Sequence, residues 1–354
     1  MAAQIRTGIQ DVDPRHELDV PKLEAYVRRQ IAEFDGKLVV RQFMGGQSNP
    51  TYLLTDGQAE WVLRRKPPGK LLSSAHATDR EFRILSALGE TEFPVPRVRG
   101  YCTDESVIGT EFYLMDRVEG RILVDQTLPN FTPYERSALY ESQVSVLASL
   151  HKIDHDAIGL GDYGKPGNYF ARQIHVWSKQ YLAAEGDIDR CDAMERLMAW
   201  LPENIPDDDR TTIVHGDYGL NNVVVHPTEP RIVAVLDWEL STLGHPVADL
   251  SYHLAGRMMP GGSFGQLADE ELPALGIPTR SEYVSRYCEL TGRDGVESLD
   301  YYLAFQLFRS AGIMFGIAAR AKRGTAASAQ AQELGEIAAP LAKRGYRLAQ
   351  TLGA

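Results

Sequence analysis

The chain has 354 residues, 44% of them hydrophobic and 24% charged, the proportions of a globular protein with room for one large domain or two. A formal net charge of −11 argues against nucleic acid as a partner, because that recognition rests on neutralising phosphates. The three cysteines, Cys102, Cys191 and Cys288, are odd in number and widely spaced, which argues against a disulfide framework or a zinc site and fits a reducing compartment.

The first ~20 residues are polar and mixed in charge, without the apolar run of a signal peptide, so a loose arm and a cytoplasmic location are expected. Pro21 to Phe34 sets Leu23, Tyr26, Val27 and Ile31 on one helical face. Strand-like runs follow at Leu38–Phe43, Thr51–Leu54 and Trp61–Arg65. A helix is expected from about Ala75 to Leu88, stopped by Gly89. Val98–Tyr101 and Glu111–Val118 read as strands, the second closed by Gly120. This order describes a small, mostly antiparallel β layer with one helix.

Beyond Gly120 the pattern turns helical. Thr132-Pro133-Tyr134-Glu135 is a capping box that opens a helix carrying Leu139, Val146, Leu147 and Leu150. Further helical patterns cover Tyr169–Leu182, Ala193–Leu201, Ser281–Leu290, Leu299–Ala319 and Leu334–Leu352. Tyr301–Ala319 is the longest apolar stretch, but Gln306 and Arg309 mark it as a buried helix, so no membrane partner is expected. Two short strands, Asn222–His226 and Ile232–Leu236, interrupt the helices. The expected class is α+β, with a β-rich lobe over residues 1–117, a hinge at 118–120 and a helical lobe over 121–354.

The chemistry concentrates in Ile213–Val225, which reads IVHGDYGLNNVVV, and in Val235-Leu236-Asp237-Trp238-Glu239. Gly216 and Gly219 permit a tight loop bearing Asp217. Asn222 opens one short strand and Asp237 ends the next, so a hairpin would set a carboxylate and an amide at one end. Such an oxygen-only site suits Mg²⁺. Asp217 stands close in sequence, where it can receive or orient a hydroxyl proton. Metal, positioned nucleophile and phosphate clamp are the parts that phosphoryl transfer requires.

H-x-D-x-x-x-x-N with a downstream Asp resembles the catalytic loop and metal-binding aspartate of the kinase-like phosphotransferases. HGDYGLNNVVV followed by VLDWELSTLGHPVADL resembles the aminoglycoside phosphotransferase family. The WELSTLG variant is similar to the kinase-like domain fused to some acyl-CoA dehydrogenases. The resemblance spans about Leu38 to Leu254 and implies a two-lobed protein-kinase-like fold that uses ATP and Mg²⁺. It implies that Asp217 is the catalytic base or orients the substrate, that His215 braces the loop, and that Asn222 and Asp237 bind Mg²⁺. Asp249 would be a buried helper contacting the loop.

The same resemblance assigns the upstream residues. Gly45, Gly46, Ser48 and Asn49 sit where backbone N–H groups and a hydroxyl approach the phosphates. Arg64 occupies the place of the family's phosphate-binding lysine, with Lys66 on the same strand face as an alternative. Glu81, in phase with Ile84, Leu85 and Leu88, is the expected partner of Arg64. Met115 would line the adenine pocket, and the backbone of Asp116 and Val118 would bond the base. Two departures stand out: arginine at position 64, and Gly244-His245-Pro246 where aminoglycoside enzymes often carry Gly-Asp-Pro.

The expected function is transfer of the ATP γ-phosphate to a hydroxyl of a small molecule. Three acceptor classes remain open: a hydroxyacyl compound or its CoA thioester, an amino sugar, or a choline- or homoserine-like alcohol. The alternative is a catalytically silent nucleotide-binding scaffold of the same fold. A protein kinase is disfavoured because no D-F-G or A-P-E segment is present. Gly159–Gly164 matches G-x-G-x-x-G but follows a helix rather than a strand, and reads as a loop. His151 and His155 lack the neighbouring glutamate of a helical zinc pair.

Overall fold

A computed structural model describes residues 8–44, 49–67, 77–259, 269–323 and 335–354. The chain divides into two units. The first comprises Met1–Asp125, Ala157–Leu160 and Leu220–Leu240, and the second Gln126–Asp156, Gly161–Gly219 and Ser241–Ala354.

In the first unit, β1 (Ile9–Gln10), β2 (Val39–Phe43), β3 (Thr51–Thr55), β4 (Glu60–Arg65), β5 (Val98–Cys102) and β6 (Phe112–Asp116) form one antiparallel sheet in the order β1-β2-β3-β4-β6-β5. Helix α1 (Val20–Gln30) is capped by the Asp19 carboxylate, which accepts the Lys22 N–H at 3.2 Å. Its residues Leu23, Tyr26 and Val27 share one core with Tyr52, Leu54, Trp61, Leu63, Phe112 and Leu114. Side chains alternate across a strand, so Val62, Arg64, Tyr113 and Met115 belong to the opposite face. Helix α2 (Thr78–Leu88) buries Glu81, Ile84, Leu85 and Leu88.

The expected hinge at 118–120 is not where the units part. Strand β8 (Val223–Val225) pairs with β9 (Ile232–Val235) as an antiparallel hairpin. Arg121 and Val225 exchange backbone hydrogen bonds of 2.7 and 2.8 Å, and the Val235 N–H donates to the Pro94 carbonyl at 2.8 Å. Gly120 is required for this approach, since a Cβ there would lie 2.4 Å from the Val225 carbonyl oxygen. The hairpin carrying Asn222 and Asp237 therefore belongs to the β-rich unit, contrary to the linear division expected from sequence.

The second unit contains α3 (Pro133–Lys152), α4 (Tyr169–Leu182), α5 (Asp192–Glu203), α6 (Val247–Gly256), α7 (Arg280–Thr291), α8 (Leu299–Lys322) and α9 (Ala338–Thr351). The capping box at Thr132 and Glu135 is formed, and a second one opens α7 through Thr279 and Glu282. Helix α8 is long and apolar enough to cross a membrane by length and composition, yet 72% of that window is buried within the fold, as a core helix would be. Two short strands, β7 (Thr212–Val214) and β10 (Thr242–Gly244), pair antiparallel beneath the loop that follows β7. Their three-residue lengths carry too little alternation to be visible in sequence.

Leu63 is 0% exposed at the centre of the first sheet, whereas Val39 at its margin is 48% exposed. Leu63→Ala is expected to lower stability by about 2–5 kcal/mol, while Val39→Ala stays within about 0.5 kcal/mol. Urea unfolding followed by tryptophan fluorescence measures both.

Candidate active site

The candidate residues form two sets, one in each unit, and each set is organised by a buried charge.

In the first unit that charge is Arg64. Its Nε lies 3.0 Å from Glu81 Oε2, and its Nη2 lies 2.6 Å from Asp237 Oδ1 and 3.7 Å from Glu239 Oε2. Glu81 is 1% exposed and accepts further hydrogen bonds from Asn49 Nδ2 at 3.0 Å and the Tyr113 hydroxyl at 2.8 Å. Burial pushes the Glu81 carboxyl upward, against the opposing pull of the Arg64 guanidinium and these donors. Burial also works against charge on Arg64, but the Glu81 and Asp237 carboxylates outweigh it and hold the guanidinium above its ordinary range. The guanidinium therefore stays charged, with Glu81 as its closest buried counter-ion.

The sequence left Arg64 and Lys66 as alternatives, and here their partners differ. Lys66 pairs with Glu111, which also accepts from the Tyr101 hydroxyl at 2.8 Å. Arg65 is buried and donates to the His16 carbonyl at 3.3 Å. The three consecutive cations are thus separately partnered rather than a solvated basic edge, and Arg64 alone of them faces Glu81.

Asn222 ends a short 3₁₀ turn, Leu220–Asn222, instead of opening the strand as expected. The hairpin register pairs Val223 with Val235, and one step further the Leu236 N–H donates to the Asn222 carbonyl at 2.8 Å. Asp237 follows immediately in a left-handed backbone conformation, φ +65°, which aspartate and asparagine adopt more readily than other side-chain-bearing residues. Asn222 Oδ1 accepts from Asn221 Nδ2 at 3.0 Å. Asp237 and Asn222 each offer a side-chain oxygen, and the carboxylates of Glu81, Asp237 and Glu239 lie about the Arg64 guanidinium. Carboxylate and amide oxygens are donors that fit a hard divalent cation such as Mg²⁺.

Other expected nucleotide-binding residues stand as follows. Gly45, Gly46 and Ser48 lie outside the described residues. Asn49 is 1% exposed, and its amide serves Glu81. Met115 is buried on the Arg64 face of β6, and Val118 is partly buried beyond its end. The Asp116 N–H already donates to the Arg97 carbonyl at 2.8 Å, and its carboxylate accepts from Arg99 Nε at 2.6 Å.

In the second unit the organising charge is Asp249, 0% exposed in the first turn of α6. Its Oδ2 accepts the His215 N–H at 2.7 Å and its Oδ1 the Gly216 N–H at 2.8 Å. His151 Nε2 lies 3.4 Å from the same carboxylate, and its Nδ1 is 2.7 Å from the Tyr287 hydroxyl. Burial would raise the Asp249 carboxyl, but His151 and the His215 N–H more than offset it and hold the group below the usual carboxylate range. Gly216 turns the chain at φ +84°. His215, fully buried, accepts the Asp217 N–H on Nδ1 at 3.2 Å. It braces the loop that presents Asp217.

Tyr252 and Arg309 also reach this loop and were missed in the sequence. The Tyr252 hydroxyl donates to the Asp217 carboxylate. Arg309 Nη2 donates to the Gly216 carbonyl at 2.8 Å, and its guanidinium stands 5.2 Å from the Tyr252 ring centre. The only available signal was that Asp249 and Tyr252 are three apart, hence on one helix face. The unusual His245 is structural: it stacks on Tyr302 with centroids 5.8 Å apart, and its Nε2 lies 3.3 Å from Asp208.

A model of the phosphotransferase enzyme family, which takes in the aminoglycoside phosphotransferases, matches residues 39–283. The chain belongs to that family, and its fold is the kinase-like one. A solved protein from Ralstonia eutropha, provisionally designated an aminoglycoside phosphotransferase, is 47% identical with a TM-score of 0.86, covering 95% of this chain and 99% of its own. Human acyl-CoA dehydrogenase family member 11 is 41% identical over 355 residues, covering 97% of this chain. Mouse acyl-CoA dehydrogenase family member 10 is 41% identical over 356 residues, covering 99%. The chain spans 45% and 33% of the length of these two relatives, respectively.

Asp249→Asn is expected to cost about 3–5 kcal/mol at pH 7, because a charge that holds two backbone N–H groups is removed. The folded carboxyl is depressed, so its contribution is present above the unfolded value of about 4 and is lost as pH falls toward the folded value. The stability gap between wild type and variant, measured by urea unfolding, should therefore narrow as the pH falls below about 4.

Proposed function

We propose that this protein is an ATP- and Mg²⁺-dependent kinase that phosphorylates a hydroxyl of a small molecule. The observation that carries the reading is the Arg64 guanidinium held against Glu81 and Asp237, within a chain of the phosphotransferase family. In this reading Arg64 grips phosphate oxygens, and Glu81, Asn49 and Tyr113 keep it aimed. Asn222 and Asp237 hold Mg²⁺, which neutralises charge on the phosphates when bound. Asp217, five residues before Asn222, takes the proton of the acceptor hydroxyl. The acceptor oxygen bonds to the γ-phosphorus as the bond to the β–γ bridging oxygen breaks, and ADP leaves with that electron pair. Asp249, His215 and Arg309 fix the loop so that Asp217 needs no rearrangement.

For the acceptor we propose a hydroxyacyl compound, free or as its CoA thioester. The support is that nearly the whole chain aligns within relatives designated acyl-CoA dehydrogenase family members. The amino-sugar reading rests on the designation of the Ralstonia protein, and position 245 weighs against it, since a histidine stands where the aminoglycoside enzymes often carry aspartate.

A thermal-shift titration tests the nucleotide half of the proposal. ATP with Mg²⁺ should raise the Tm of the wild type, and Asp237→Ala should lose the Mg²⁺ dependence. Steady-state assays against hydroxyacyl-CoA esters, kanamycin and choline then test the acceptor. No shift with either ligand would turn the reading toward a silent scaffold.

A further inference from the structure

The Tyr252 hydroxyl, which donates to Asp217 Oδ1, has no part in the reaction as written above. Tyr252 follows Asp249 by three residues on α6, so one helix face holds the loop twice. Asp249 secures the backbone at His215 and Gly216, and Tyr252 reaches the side chain two residues on. Burial and the facing Asp217 carboxylate push the Tyr252 phenol far up, so it remains a donor throughout the working pH range.

Arg309 completes the arrangement. Its guanidinium is anchored by the Gly216 carbonyl and lies over the rings of Tyr252 and Trp177, at 5.2 and 5.6 Å from their centres. A cation over the ring draws electron density from the phenol, which strengthens its O–H as a donor and pins the ring in place. Only some orientations of an aspartate side chain face an acceptor hydroxyl.

We propose that Tyr252 is a positioning residue: its hydroxyl locks the Asp217 carboxylate in the orientation that receives the acceptor proton, while Arg309 holds the tyrosine ring. This rests on Asp217 acting as proposed above. Tyr252 keeps its own proton in this role.

The test is a double-mutant cycle of Tyr252→Phe and Asp217→Asn. The probes are Mg²⁺-ATP with the best hydroxyacyl-CoA ester, and Mg²⁺-ATP hydrolysis with water as acceptor. Phenylalanine keeps the ring and its contact with Arg309, so the Tm should move little. The expected result is a kcat lowered roughly 10- to 100-fold with KM for ATP and acceptor nearly unchanged. In the Asp217→Asn background the same substitution should have no further effect, because its influence passes through that carboxylate. Full additivity of the two substitutions, or a wild-type kcat in Tyr252→Phe alongside an inactive Asp217→Asn, would overturn this proposal and leave the kinase reading standing. An Asp217→Asn protein as active as wild type would overturn both.

Discussion

A single buried carboxylate, Asp249, decides where Asp217 can be. It takes the N–H groups of two successive residues, His215 and Gly216, on its two oxygens. These donors belong to a turn in which Gly216 has a left-handed backbone and cannot offer them to a regular ladder. Bringing an ionised carboxylate to 0% exposure is costly unless its lone pairs are used, and here His151 accounts for part of the remainder. The histidine is in turn set by Tyr287 on α7. Three helices, α3, α6 and α7, thus converge on one loop of three residues, and the geometry of that loop inherits their rigidity.

The first unit solves a different problem, which is to keep a buried cation charged. Arginine in place of lysine changes the solution. A guanidinium presents several donors in a fixed plane, so Arg64 faces Glu81 through Nε and Asp237 through Nη2 at once. A lysine would have to choose or swing between them. The price is burial, and Asn49 and Tyr113 meet part of it by satisfying the Glu81 oxygens. Sheet alternation makes this possible, because it separates Arg64 and Tyr113 from the apolar core on the other side of the same strands.

Much of this was legible in the sequence where the signal was local and periodic. The stripe on α2 that carries Glu81, the capping box at Thr132 and the ordered H-G-D…N…D set all depend on spacing along the chain. What escaped depends on partners far away in sequence. Tyr252 and Arg309 lie 35 and 92 positions after Asp217, and no spacing rule links them to it. The domain division was misread for a similar reason: residues 220–240 join the first unit through hydrogen bonds to Arg121 and Pro94, which no composition shift announces. Asn222 moved from strand to turn because three apolar residues after it satisfy either boundary equally well.

The left-handed backbone at Asp237 has a consequence for how such proteins lose function. Only glycine, asparagine and aspartate tolerate that conformation readily. A lineage that abandons catalysis while retaining the scaffold is therefore expected to drift to glycine or asparagine at this position, which removes the charge and keeps the turn. A β-branched residue would disturb the hairpin itself, and with it the pairing that Leu236 makes to Asn222. Glycine or asparagine at this one position thus preserves the turn while taking the negative charge away from Arg64.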